Sequence, residues 1–167
     1  MTISSERLVF RPYTDEDFEF LMTLLSDPEM VKFIGGGQTR DRQGGRDFLS
    51  WIYRTYEAGG DLGLQVLVRK VDNIPVGHAG LVPQKIEGEE ELEIGYWIAR
   101  ECWGFGYATE AAAALLEYGK NEIGRARFIS LIQPENTASE KVARKIGMKL
   151  EKRIILGEKD VNVFSTE

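Results

Sequence analysis

The stretch Trp103-Gly104-Phe105-Gly106-Tyr107-Ala108 sets small residues at every second position, directly before a run of helical periodicity. Small residues let a ligand approach the backbone closely. A helix N-terminus adds unpaired N–H groups and a partial positive charge. Together these make an anion site, best matched to a phosphate or pyrophosphate. A tight turn whose glycines only satisfy geometry explains the same spacing as well. Two other phosphate loops fail on the residues. A P-loop needs Gly-Lys-Ser/Thr after its glycines, where Tyr107 and Ala108 stand. A dinucleotide fingerprint needs an early βαβ unit and an acidic residue ending the next strand. Here the next strand ends in Ile132-Gln133-Pro134.

Glu93 and Glu91 alternate with Leu92 and Ile94 on the strand before this turn, so both carboxylates share the opposite face. Burial beside a ligand would raise such a carboxyl toward a useful base. Glu93, nearer the turn, is the first candidate and Glu91 the alternative; two exposed strand carboxylates are the plain reading. His78 is the only histidine and Cys102 the only cysteine. His78, between Gly77 and Ala79, reads as packing or lining a cleft. Cys102 reads as structural. One His and one Cys argue against a metal site.

These residues need a frame. Arg7 to Tyr13 reads as a strand, and Thr14 caps a first helix whose first turn is Asp15-Glu16-Asp17. Asp27-Pro28 interrupts that helix, and a short turn runs to Ile34. Gly35-Gly36-Gly37 follows, with Arg40, Arg42 and Arg46 nearby. It reads as a mobile lip over a site or as a surface loop. Asp41 to Glu57 reads as a second helix, whose Trp51, Tyr53 and Tyr56 serve core and cleft wall. A meander of three strands leads to Ile98: residues 64 to 68, then 76 to 82, then 92 to 98. The spacing predicts a helix from about Phe105 to Glu122, a strand from Phe128 to Ile132, and a short helix from Asn136 to near Gly147. Strands over Lys149 to Leu156 and Asp160 to Ser165 close a β α α β β β α β α β β order.

The chain has 167 residues, which favours one domain over 1–167. Its net charge of −6 disfavours general nucleic-acid binding. No apolar run approaches a membrane span, and the opening MTISSERLVF lacks a signal-peptide layout. The expected setting is cytoplasmic, with no membrane or nucleic-acid partner, as a monomer or homodimer.

With these residues in order, the sequence resembles the GCN5-related N-acetyltransferase (GNAT) superfamily, in particular its RimJ/RimL-like branch. Glu6-Arg7-Leu8-Val9-Phe10-Arg11-Pro12 resembles the branch's first strand. Trp103 to Ala111 is similar to its cofactor motif, and Asn136-Thr137-Ala138-Ser139, leading to Lys145-Ile146-Gly147-Met148, to its second motif. The wider superfamily has Gln or Arg where Trp103 stands, so backbone donors must do more. The resemblance implies a mixed α/β fold: a twisted, mostly antiparallel sheet of about seven strands, about four helices, and a V-shaped splay between the fourth and fifth strands.

It also implies acetyl-CoA as co-substrate and a primary amine as acceptor. The acceptor is expected at a protein or peptide N-terminus, as in ribosomal proteins. A polyamine, amino acid or aminoglycoside is the rival acceptor, and a silent acetyl-CoA-binding domain the rival class. Backbone around Tyr96, Trp97 and Ile98 would pair with the pantetheine arm. Trp103, Gly104, Phe105, Gly106, Tyr107, Ala108 and Thr109 would cradle the pyrophosphate. Asn136 would bond the arm and also cap its helix, and Arg144 would reach the nucleotide end. Attack on a thioester needs a neutral amine, so a base must take its proton. Glu93 is expected there. Ser139 is expected to hydrogen-bond the leaving sulfur; local capping within its helix turn is the plain alternative.

Overall fold

Strands form where apolar and polar side chains alternate, and the computed structural model describes residues 2–167. β1 (Leu8–Pro12), β2 (Gly63–Arg69), β3 (Ile74–Ile86) and β4 (Glu89–Ile98) make an antiparallel run. β5 (Ile129–Ile132), β6 (Lys149–Leu156) and β7 (Lys159–Ser165) make a second, with β7 in the middle. One sheet results, in the order β1-β2-β3-β4-β5-β7-β6. The two runs meet at β4 and β5, which lie parallel and pair only at Glu93 and Ile129. Beyond that pair the strands splay, as the resemblance implies.

Alternation along β4 sorts its side chains between two cores. Leu92, Ile94 and Ile98 pack with Ala111 and Leu115 of α4 (Tyr107–Tyr118) and with Phe128 and Phe164. Trp97 turns the other way, onto Phe48 and Ile52 of α3 (Arg42–Tyr56). Burying each such side chain contributes about 1.5–3 kcal/mol, so a one-residue slip of β4 would lose both cores at once. α1 (Phe18–Leu25) crosses α3 closely at Gly45, where any Cβ would stand 2.3 Å from Met22 Sδ. α5 (Thr137–Lys145) lies beyond the splay, against α4.

Three boundaries differ from the sequence reading. The segment after Asp27-Pro28 is not a plain turn but a one-turn helix, α2 (Pro28–Val31), one of five helices among the described residues. The dipeptide that reads as a breaker is its N-cap and first residue: the Asp27 carboxylate accepts from Glu29 N at 3.0 Å, and proline is pre-set for that first position. The return strand is longer than 76–82, because β3 and β4 stay paired from Gly77 to Ile86. α4 ends at Tyr118 and continues as a π-helical turn over Gly119–Ile123. There the Phe128 ring packs directly on the helix backbone, within 2.4 Å of where a Gly119 Cβ would be.

Candidate active site

The register of β3 and β4 decides which backbone groups of β4 face the splay. Ala99 N donates to Val76 O at 2.8 Å. In an antiparallel pair the bonds alternate, so the N–H and C=O groups of Ile94, Tyr96 and Ile98 point away from β3. The Ile94 N–H faces β5 at the Glu93–Ile129 pair, and two carbonyls are engaged by side chains. Ser130 Oγ donates to Ile94 O at 3.0 Å, and Trp103 Nε1 to Ile98 O at 2.6 Å. The Tyr96 N–H and C=O and the Ile98 N–H are left facing an empty ladder position. An extended chain with its own amides could fill that position as an added strand.

A cavity of about 490 Å³ runs along this edge. Tyr96, Trp97 and Ile98 line it, as do Trp103, Gly104, Gly106, Tyr107, Ala108 and Thr109 of the turn and first helical residues. Gly106 is the N-cap of α4 at φ 82°, in the left-handed region, and Gly104 stands at φ 88°. With the backbone so turned, the first amides of α4 lack helical partners and carry its positive end. A Cβ at Gly104 would meet nothing within 4 Å, so space remains over the turn. Phe105 is exposed and stacks near Tyr107, 6.0 Å between ring centres, outside the cavity lining.

Sequence reasoning missed the cation at this turn. The Arg7 guanidinium lies 4.5 Å over the Tyr107 ring, and its Nη2 would be 3.5 Å from a Cβ at Gly106. Glu110 holds it there. Its carboxylate accepts from Arg7 Nε at 2.6 Å, from Arg7 N at 2.8 Å and from Ser5 Oγ at 2.5 Å. The signal was present in Glu6-Arg7-Leu8, read only as a strand. Neither Arg7 nor Arg144 is in the cavity lining, but Arg7 stands at the turn and Arg144 does not. Arg144 pairs with Glu140 at 2.9 Å and lies over the Phe164 ring.

The far wall is the first turn of α5. Asn136 caps that helix, its Oδ1 accepting from Ser139 N at 3.2 Å, while its Nδ2 donates to Ser139 Oγ at 3.1 Å. Both residues line the cavity. Tyr96 crosses the splay to donate to Ser139 O at 3.0 Å. With Asn136 supplying a donor to Oγ, the Ser139 hydroxyl proton is free to point elsewhere. The expected cap of α5 by Asn136 is formed, and the same residue borders the cavity.

A second cavity, of about 410 Å³, opens on the α3 side of the sheet. The two cavities share Phe33, Ile34, Glu93, Gly95, Trp97 and Leu131. Gly95 has no side chain between Glu93 and Trp97, so β4 is thinnest there, and a Cβ would approach nothing closer than Leu64 at 3.8 Å. Glu93 Oε1 accepts from Gln84 Nε2 at 2.9 Å. Burial raises the Glu93 carboxyl above its ordinary value, against the lowering bonds from Gln84 and the Leu131 backbone. Glu91, on the same face, borders neither cavity. Arg127 holds it at 2.8 Å and pairs with Glu151 at 2.7 Å as well.

The remaining sequence candidates are packed into the core or the cavity walls, Cys102 bordering the first cavity and Trp51 the second. His78 is fully buried, with Tyr13 Oη 2.6 Å from its Nδ1 and Trp97 packed at 4.7 Å between ring centres. Burial lowers its pKa to about 3, so it stays neutral. Cys102 is buried, and burial raises its thiol. Tyr56 donates to Leu64 O in the core, while Trp51 walls the second cavity. In the glycine loop, Gly35 O accepts from Gln133 Nε2 at 2.8 Å, which ties the loop to the end of β5. Arg42 of that region pairs with Glu19. Among the described residues no three His, Cys, Asp or Glu side chains cluster as a metal site would require.

Comparison with known proteins agrees with this fold. A family model described as an acetyltransferase (GNAT) domain matches residues 7–149. The uncharacterized protein YkkB of Bacillus subtilis is 38% identical over 161 residues, covering 96% of this chain and 92% of its own. The crystal structure of a GNAT-family acetyltransferase from Bacillus anthracis is 31% identical, with a TM-score of 0.82 over 99% of this chain and 97% of that one. RimL, a ribosomal alpha-N-protein acetyltransferase solved in complex with coenzyme A, shares the fold at 19% identity. Its TM-score is 0.80, over 99% of this chain and 97% of that one.

Proposed function

The chain belongs to the GNAT acetyltransferase family and is an acetyl-CoA-dependent acyltransferase, and on that premise we propose that its acceptor is the primary amine of a protein or peptide N-terminus. The observation that carries this reading is the meeting of two cavities at Glu93 and Gly95, one on each side of the sheet. A thioester laid along β4 and an amine entering from the α3 side would meet there, held for direct attack. RimL, which acts on a protein N-terminus by its name, supports the choice of acceptor through shared fold.

The residues present fit acetyl-CoA. The open backbone groups of Tyr96 and Ile98 match the amides of a pantetheine arm. The turn from Trp103 to Ala108, the amides through Thr109 and the Arg7 guanidinium suit a pyrophosphate. Asn136 keeps a second Nδ2 proton for the arm. Glu93 takes a proton from the incoming ammonium, directly or through water, freeing the neutral amine for attack, and its raised pKa suits that work. Ser139 donates its hydroxyl to the sulfur that leaves, and Asn136 orients it for this. We place the reaction in the cytoplasm, in a single domain acting as monomer or homodimer. A small-molecule amine is the second reading, because about 410 Å³ is the size of a small-ligand site.

A screen of CoA release from acetyl-CoA, across peptide N-termini and small amines, tests the proposal. Peptides should outpace small amines. Tight acetyl-CoA binding with no thiol release from any amine would make the domain a silent binder. For Ser139→Ala we expect kcat to fall about tenfold, the worth of one hydrogen bond to a charged sulfur, with CoA affinity within about twofold. An unchanged kcat would remove Ser139 from the chemistry.

A further inference from the structure

The second cavity also carries information about what the amine must look like. Glu93 is the one ionisable side chain in its lining. The two amides beside it are already engaged, Gln84 on Glu93 and Gln133 on Gly35 O. Most of the remaining wall is carbon. Trp51 packs edge-on to Phe48, 5.4 Å between ring centres, and Phe48 lies 5.6 Å from Trp97. Two cations lie over rings of this wall from outside the lining. Lys32 lies 5.4 Å over the Phe33 ring, and the Arg40 guanidinium 5.2 Å over the Phe48 ring.

The lining itself has one place for a cation and none for an anion. An acceptor with a second ammonium would set it against apolar wall, with no second carboxylate in the lining to receive it. An amino acid would bring a carboxylate into a cavity whose only charge is negative. An aromatic wall beside a single carboxylate instead suits an ammonium attached to a ring, which gains from burial and from face and edge contacts.

We propose that the acceptor is a primary monoamine carrying an apolar, ring-sized group next to its nitrogen, held by Phe48, Trp51 and Trp97 with the nitrogen at Glu93. This rests on the transfer reading above. The same chemistry is offered by a free arylalkylamine and by a peptide whose first residue is aromatic.

The test uses the full chain. Binding of phenethylamine, ethanolamine, spermidine, an aminoglycoside and free phenylalanine is measured by calorimetry on the CoA-saturated protein. CoA release from acetyl-CoA is then followed with the same amines and with peptides beginning Phe, Ser or Asp. Phenethylamine should bind at least about tenfold more tightly than ethanolamine, the effect of burying a ring, and the Phe-first peptide should lead the peptides. Whichever of phenethylamine and the Phe-first peptide has the higher kcat/KM identifies the source. Trp51→Ala should raise KM for both by about tenfold and leave ethanolamine and CoA binding nearly unchanged. Should that variant fold poorly, the ranking of amines on the parent protein decides alone. Aromatic monoamines that bind without thiol release would sink the transfer reading and keep the assignment. Preference for spermidine, the aminoglycoside or the Ser-first peptide would overturn the assignment and keep transfer.

Discussion

Glu93→Gln should lower kcat by about a hundredfold or more, the usual worth of a positioned general base. CoA affinity should stay within about twofold, because the change leaves the β4 edge and the phosphate turn alone. Gln is the right replacement: it keeps an oxygen for the Gln84 donor and removes only the charge. In the parent, kcat/KM should rise with pH as Glu93 loses its proton, and that limb should vanish in the variant. Full activity across pH would show that another group, or water alone, takes the proton.

The same change should alter stability in the opposite direction. Burial raises the Glu93 carboxyl in the folded protein above its unfolded value. The folded state therefore holds the proton more tightly. The associated stability is fully present below the unfolded pKa, about 4.3, and is lost as pH rises through the higher folded value. Gln does not titrate, so the variant escapes that loss. Its Tm should match or exceed the parent's at about pH 7–8, and the difference should shrink below about pH 4. A gain in Tm with a loss of kcat marks a charge kept for function at a cost in stability. A fall in both would instead mark Glu93 as structural.

Gly106→Trp should abolish measurable CoA binding, a loss of at least about a hundredfold. Two effects add. Gly106 stands at φ 82°, where a residue with a Cβ costs about 1–2 kcal/mol. The new side chain also starts beside the α4 amides and the Arg7 guanidinium, in the space a phosphate would take. Losing two charge-assisted bonds alone is worth about 3 kcal/mol or more. Calorimetry with CoA measures the affinity, and circular dichroism shows whether α4 persists. Retained CoA affinity with an intact fold would move the phosphate site away from this turn.

Much of this could be read from the chain because the signals are local. Alternation along residues 92–98 assigns one side chain after another to its face. Small residues before a helical run mark a turn wherever the chain then goes. Asp27-Pro28 was equally local but ambiguous, since a proline that ends one helix can begin the next. The resemblance added the order of elements, and the sheet follows it, including the splay after Glu93.

What the sequence by itself determined is the frame: seven strands in order, a turn at Trp103 to Ala108 opening α4, and Asn136 capping α5. Those features follow from backbone preferences and side-chain period, which act over a few residues. Tertiary structure alone decided the rest. Glu93 and Glu91 share a strand face and cannot be told apart in sequence. They separate because Arg127, arriving from beyond α4, captures Glu91, while Glu93 stands where β4 and β5 part. Arg7 reaches the turn before α4 because the segment leading into β1 brings Ser5 and Arg7 to Glu110 across the fold, and Arg144 pairs with Glu140 and lies over Phe164. The aromatic wall with its single carboxylate joins α3, β4 and the glycine loop. Charge and shape in a cavity are sums over distant segments, and only packing adds them up.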